Sequence, residues 1–159
     1  MGRLANIPQE NYDSPSAPVE INAEINQSIL ITKCKNTTLR VNGKANAISI
    51  DNCTRFNIVL DNLVSSVDVI KCPNFALQVL GSLPTVLLDQ VDGAQIYLST
   101  ESLHTEVFSS KCSSINVIVP PKDEEEEEDA DYAECPVPEQ IRSFIKNGRL
   151  VSEIVEHAG

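Results

Sequence analysis

The chain has no tryptophan, one methionine and an aromatic content of 4 % in 159 residues. Its core must therefore be aliphatic, which favours narrow repetitive packing over a wide interior filled by rings. It also lacks any run of eighteen apolar residues, and Met1-Gly2-Arg3-Leu4-Ala5-Asn6 opens no apolar stretch of signal-peptide length. Those absences point away from a membrane span and a secretory leader, toward a soluble cytoplasmic protein. Asn6 stands where a myristoylation signal prefers Ser or Thr. The cysteines Cys34, Cys53, Cys72, Cys112 and Cys135 are odd in number and hold no C-x-x-C, so neither a disulfide framework nor a zinc site is expected. There is no nucleophile elbow and no phosphate-binding glycine loop, and His104 and His157 lie far apart in sequence. Catalytic residues, cofactors and metals are accordingly not expected, and the reading is of a binding surface and not of an enzyme.

What the chain does have is a period. Apolar-x-apolar triplets recur from Ile29-Leu30-Ile31 through Leu39-Arg40-Val41, Ile48-Ser49-Ile50, Ile58-Val59-Leu60, Val67-Asp68-Val69, Leu77-Gln78-Val79, Val86-Leu87-Leu88, Ile96-Tyr97-Leu98 and Thr105-Glu106-Val107 to Ile115-Asn116-Val117. Their centres step by ten and nine in alternation, so the unit is nineteen residues carrying two triplets, and five units fit. The flanking positions are aliphatic except Thr105, whereas many central ones are polar, which is the pattern of short strands with one buried face. A nineteen-residue unit cannot enclose a core alone. Coiled, each strand stacks on its counterpart one unit later at about 4.8 Å, giving an all-β parallel β-helix of five to six two-sided coils. The expected inward ladders are Ile29, Ile48, Val67 and Val86 on one side and Leu39, Ile58, Leu77, Ile96 and Ile115 on the other. Cys34, Cys53, Cys72 and Val91 form a small inward turn column. Gly43, Asn62, Gly81 and Thr100 form a corner column suited to positive φ. Asp68 and Glu106 fall two rungs apart on one sheet, about 10 Å, and read as solvated strand faces.

The net charge of −11 is concentrated. Nine acids and no base lie between Asp123 and Glu134, and the rest of the chain holds twelve bases against fourteen acids. The first coils are basic: Lys33, Lys35, Arg40, Lys44 and Arg55 face only Asp51. Without interleaved aromatics this patch does not point to nucleic acid, and an acidic protein partner fits it. The organisation expected is an irregular lead over 1–18, the β-helix over 19–121 with Val19-Glu20-Ile21 as an extra half-rung, a solvated acidic loop over 122–135, and an extended segment and hairpin over 136–159. Pro120-Pro121 stops the ladder, since proline cannot donate to it. Asn147-Gly148 between Ile141–Ile145 and Leu150–Val155 is a strong short-range hairpin signal. Such a hairpin either caps its own last coil or crosses to another chain, because an open solenoid end leaves strand edges to cover.

Several words of this sequence resemble the C-terminal domain of cyclase-associated protein: Lys33-Cys34-Lys35-Asn36-Thr37-Thr38-Leu39, Val41-Asn42-Gly43-Lys44-Ala45-Asn46-Ala47-Ile48, Val91-Asp92-Gly93 with Ile96-Tyr97-Leu98-Ser99 and Glu101-Ser102-Leu103, Ser109-Ser110-Lys111-Cys112-Ser113-Ser114, Pro136-Val137-Pro138-Glu139-Gln140 and Glu156-His157-Ala158-Gly159. The resemblance runs from about 19 to 159. It implies a right-handed β-helix, a homodimer through a swapped C-terminal hairpin, and binding of monomeric actin, the ADP form preferred, with promotion of nucleotide exchange and filament turnover. On that basis Lys33, Lys35, Arg40, Asn42 and Lys44 are candidate actin contacts, with Glu156, His157, Ala158 and Gly159 at the end of the chain. Pro136, Val137, Pro138, Ile141, Phe144, Leu150, Val151, Ile154 and Val155 are the candidate dimer residues. The larger members' helical domain, proline-rich segment and short actin-binding motif have no room in this sequence, and a tryptophan often found before the first coil is missing; it is similar to a short, solenoid-only member or to a fragment of a larger one, and a non-catalytic scaffold is the alternative to actin binding. The β-helix domain of tubulin-binding cofactor C is a second relative of the coil, and Arg40 could pose as its catalytic finger, although that family's Gln-x-Arg motif is absent around it.

Overall fold

The computed structural model describes residues 5–10, 18–121 and 131–156. Its strands are β1 (Ala5–Glu10), β2 (Val19–Ala23), β3 (Gln27–Thr32), β4 (Lys35–Ala45), β5 (Ala47–Asp51), β6 (Thr54–Leu63), β7 (Ser66–Ile70), β8 (Phe75–Val79), β9 (Thr85–Asp89), β10 (Asp92–Tyr97), β11 (Glu106–Ser110), β12 (Ser113–Val119), β13 (Ala133–Pro136), β14 (Gln140–Lys146) and β15 (Arg149–Val155). Successive strands alternate between two sheets. The odd strands β1 to β11 form one parallel sheet; the even strands β2 to β12 form the other, with antiparallel β13 added beyond β12. This is a parallel β-solenoid of about five turns.

The triplet pattern builds it directly. Leu39, Ile58, Leu77 and Ile96 stack in register across β4, β6, β8 and β10, and Ile29, Ile48, Val67 and Val86 across β3, β5, β7 and β9. All eight are 0–2 % exposed. At roughly 1.5–3 kcal/mol for each fully buried side chain, these two ladders alone supply a large share of the driving force. A second pair of inward columns, Val41 with Leu60 and Val79, and Ile31 with Ile50, Val69 and Leu88, follows two residues on. Phe56 and Phe75, both buried, stack beside them.

The last coil departs from the period of nineteen. Val86 pairs with Val107 and Ile96 with Val117, steps of twenty-one, while Ile115 stands over Ala94 and not over Ile96. The cause is a 3-10 turn, Thr100–Ser102, whose Ser102 side chain is wholly buried and donates to the Ser99 carbonyl at 3.3 Å while accepting from the Ser99 N–H at 2.8 Å. The extra residues explain why Thr105 broke the aliphatic rule: it lies before the strand, and Val107 takes the inward place. Glu106 consequently stands over Thr85 and Ser66, in the column beside Asp68 rather than above it.

Three further expectations are corrected. Residues 5–10 are not irregular: β1 runs parallel to β3 with Ile7 opposite Ile29, a step of twenty-two, and its edge position tolerates Pro8. The segment expected as loop up to 135 instead forms β13 from Ala133, with Cys135 opposite Val117, so the chain itself covers the open end of the even sheet. The positive-φ residues do not occupy the Gly43 column, where only Gly43 has φ +87°. They fall on two columns bracketing the cysteines: Lys33, Asn52, Lys71, Gln90 and Lys111, and Asn36, Arg55, Asn74, Gly93 and Ser114. A left-handed residue on each side of an inward Cys turns the chain between sheets within four residues. Gly81 is required for a different reason, close approach: a Cβ there would lie 2.6 Å from the Asp61 carbonyl oxygen and collide with the Asn62 side-chain oxygen.

The turn column itself is tied by sulfur. Cys34 N–H donates to Cys53 Sγ at 3.4 Å and Cys53 N–H to Cys72 Sγ at 3.3 Å, all three residues buried with free thiols. Hydrogen bonding with Cys72, then burial, pushes the Cys53 thiol well above its ordinary range. With the step of twenty-one, Cys112 continues the column below Val91, where the period of nineteen alone does not place it.

Candidate functional site

The basic residues expected to form one patch fall in two places. Lys33 and Lys35 flank the cysteine turn, both exposed, with the Lys33 N–H donating to the Asp51 carbonyl. Arg40 lies mid-strand on the outer face of β4, and Lys44 near its far end, nine residues from Lys35 and thus roughly 25–30 Å away. The turn group does not stop at the first coils. Lys71 and Lys111 occupy the Lys33 column, and Arg55 the neighbouring one, so exposed cations run down one edge of the solenoid. The signal was in the sequence, since Lys71 is two units from Lys33, but Lys111 needs the two-residue insertion to be seen. Asp51 and Asp89 close the adjoining strands, so the ridge is mixed in sign at its margin.

Arg40 is not a free cation. Its Nη2 contacts Asp61 Oδ1 at 2.7 Å and its Nη1 donates to the Val41 carbonyl at 2.7 Å. Asp61 Oδ2 accepts from the Gly43 N–H at 2.9 Å, within the irregularity where β4 slips against β6 between Val41 and Lys44. Arg40 foremost, aided by Gly43, holds the Asp61 carboxyl below its ordinary range. Asn42 Nδ2 donates to Asn22 Oδ1 at 3.2 Å on the neighbouring strand. Arg40 and Asn42 thus brace the surface that presents Lys44. A guanidinium bound on two sides is poorly suited to reach a partner's phosphate as a finger.

The hairpin β14–β15 turns at Asn147 (φ +52°) and Gly148 (φ +76°), the left-handed pair a two-residue I′ turn demands. Its two faces differ. Ile141 opposite Ile154 and Ile145 opposite Leu150 form one face, each more than 60 % exposed, with Ser143 and Ser152 bonded between them at 2.9 Å. Phe144, Val151 and Val155 lie on the other, where Arg142 covers the Phe144 ring at 4.5 Å and pairs with Glu153 at 2.7 Å. The dimer candidates therefore divide. Ile141, Leu150 and Ile154 share an uncovered face with Ile145, which the sequence reading omitted although it alternates with Ile141. Pro136 belongs to β13, and Val137 packs on the core with its N–H donating to the Ile115 carbonyl at 2.9 Å. Those two hold the chain to its own coil, and Pro138 is exposed beyond them. Glu156 is exposed; His157, Ala158 and Gly159 lie outside the described residues, as does the acidic run through 130. Among the described residues no group of three or more His, Cys, Asp or Glu could hold a metal, and no helix is long and apolar enough to cross a membrane.

Two stacked sheets joined by an ionic turn ridge and followed by a hairpin are the architecture of a parallel β-solenoid domain. Residues 7–157 match the family model described as adenylate cyclase associated (CAP) C terminal, and the chain belongs to that family. It is 45 % identical to the adenylyl cyclase-associated protein of Schizosaccharomyces pombe over 93 % of its length and 38 % identical to adenylyl cyclase-associated protein 1 of Homo sapiens over 94 %. It spans only 26 % and 30 % of those two proteins. The crystal structure of cyclase-associated protein from Cryptosporidium parvum superimposes with a TM-score of 0.81 at 28 % identity, covering 92 % of this chain and 87 % of that one.

Proposed function

We propose that this domain binds monomeric actin, the ADP form in preference, and promotes exchange of its nucleotide as a homodimer joined through the hairpin, with no chemistry of its own. The observation that carries the assembly half is the four-residue aliphatic face of Ile141, Ile145, Leu150 and Ile154, which no other strand among the described residues covers. Single apolar residues on a surface need no explanation, but four on one face of a two-stranded sheet do. The half concerning actin rests on membership of the family and on the exposed cations Lys33, Lys35 and Lys44, which suit an acidic partner. Arg40 and Asn42 serve that surface by bracing it.

The Lys33→Ala, Arg40→Ala, Lys44→Ala triple variant, shown by its melt to be folded, is expected to bind ADP-actin monomers more weakly and to lose acceleration of nucleotide release. Binding by the wild type should weaken with salt. Unchanged affinity and release would remove this surface from the reading; a wild type that never binds actin would remove the function. Ile145→Asp with Ile154→Asp is expected to sediment as a monomer at micromolar concentration, where the wild type sediments as a dimer.

A further inference from the structure

A hollow of about 1010 Å³ lies on the outer face of the even sheet, away from the cationic turn ridge, and is closed on one side by residues 131–134. Its lining is mixed, with Gln78, Ser99 and Thr100 beside Leu80, Tyr97 and Pro120. Ile118 is only 5 % exposed although it faces outward, because the returning segment covers it; Tyr97 lies beside it across β10, and Leu80 remains 45 % exposed. Tyr132, 58 % exposed, stands at the rim. Asp131 and Glu134 form the wall, with Glu134 directly opposite Ile118 in the β12–β13 pair. Among the described residues, neither carboxylate has an ion pair and no Lys, Arg or His lines the hollow.

From this geometry we infer that the hollow is a docking groove for a short, extended basic peptide that alternates cationic and aliphatic residues. The chemistry is complementary at each level. Two carboxylates attract cations, the tyrosine rings suit lysine or arginine, and exposed Leu80 with Pro120 accepts the aliphatic side chains between them. The volume lies at the upper end of what short-segment and small-ligand sites occupy. The groove selects for the charge opposite to the partner proposed for the lysine ridge, so the two surfaces can be engaged by different molecules.

The test is fluorescence anisotropy on the full chain with a fluorescein-labelled peptide of alternating lysine and leucine, with an alternating glutamate and leucine peptide and spermine as comparisons. The lysine peptide is expected to bind and the glutamate peptide not. Asp131→Asn with Glu134→Gln should weaken binding roughly fivefold to tenfold, as loss of two exposed charge contacts allows. Tyr97→Ala with Tyr132→Ala should weaken it by a similar factor. The second pair separates the groove from general attraction by the acidic run, which those substitutions leave intact. If the double variant lacking Tyr97 does not fold, Tyr132→Ala alone carries the test, since its ring is exposed. Unchanged affinity on removing the rings, or spermine competing as well as the peptide at equal charge, would overturn the proposal. Binding of the lysine peptide is independent of actin, so either reading can fail while the other stands.

Discussion

Replacing Gly81 by alanine should destabilise the domain by about 3 kcal/mol, against the usual expectation. At a loop glycine with ordinary φ, alanine generally stabilises by roughly 0.4–1 kcal/mol because it restricts the unfolded chain. Gly81 has no positive φ, so backbone conformation does not forbid the change. The neighbouring rung does. A Cβ would strike the Asn62 side-chain oxygen and sit 2.6 Å from the Asp61 carbonyl oxygen, and Gly81 is buried. Asn62 Oδ1 accepts from the Ser82 N–H at 2.8 Å, and displacing it leaves that donor without its acceptor, at about 1–3 kcal/mol. Shifting the backbone away from the Asp61 carbonyl adds about 1–3 kcal/mol as in other overpacked sites. The assay is urea unfolding of Gly81→Ala, Asn62→Ala and the double variant, with slopes checked for constancy. The double variant should cost at least about 1 kcal/mol less than the sum, because one clash and one hydrogen bond are removed once, while the backbone clash persists. A neutral or stabilising Gly81→Ala would refute the reasoning.

Leu77→Asp, placing an unpaired charge at a position 0 % exposed between Ile58 and Ile96, should abolish a cooperative melt, whereas Gln78→Asp next to it should shift the urea midpoint little. The Asp61 carboxyl, depressed by Arg40, contributes stability that is present above its unfolded pKa of about 3.9 and lost as pH falls through the lower folded value. Asp61→Asn should therefore flatten the acid limb of stability below about pH 4. Because the pair is about 30 % exposed the effect should stay within about 1 kcal/mol in urea titrations. Thiol labelling of the native chain should modify Cys135 first and Cys112 slowly, with Cys34, Cys53 and Cys72 reacting only when the coil opens; mass spectrometry of the labelled peptides reads the order.

The central coils were legible because a parallel solenoid writes its register into sequence: a residue and its neighbour one unit later share one environment, so Leu39, Ile58, Leu77 and Ile96 announce themselves. The ends were not. A two-residue insertion at Thr100–Ser102 moved Val107 and Val117 into places the arithmetic assigned to Thr105 and Ile115, and β1 joins at a longer step through a segment carrying Pro8. The hairpin turn was readable from Asn147-Gly148 alone, because so few residue pairs accept two successive left-handed conformations. Which hairpin residues share a face was also available from alternation, yet Ile145 was passed over beside Phe144. The bracing of Arg40 by Asp61 was invisible, because residues twenty-one apart meet only where β4 carries its local slip. Left-handed Lys33 and Lys71 gave no signal, since lysine has no preference that betrays it, whereas Asn36, Asn52 and Asn74 in the same two columns carry asparagine's preference for that conformation.

The two-sheet stack implies a molecule with a direction of wear. Every inner strand of the coil leans on one neighbour above and one below, so disturbance spreads rung by rung rather than through a shared centre. Hydrogen exchange should therefore form a gradient, fastest at β1 and at β11, whose outer edge no described strand covers, and slowest at β6 and β8, each guarded by at least two strands on either side. The even sheet, closed by β13, should hold longer at that end than the odd sheet. A coil laid down this way opens like a stack of plates lifted from its unguarded corner.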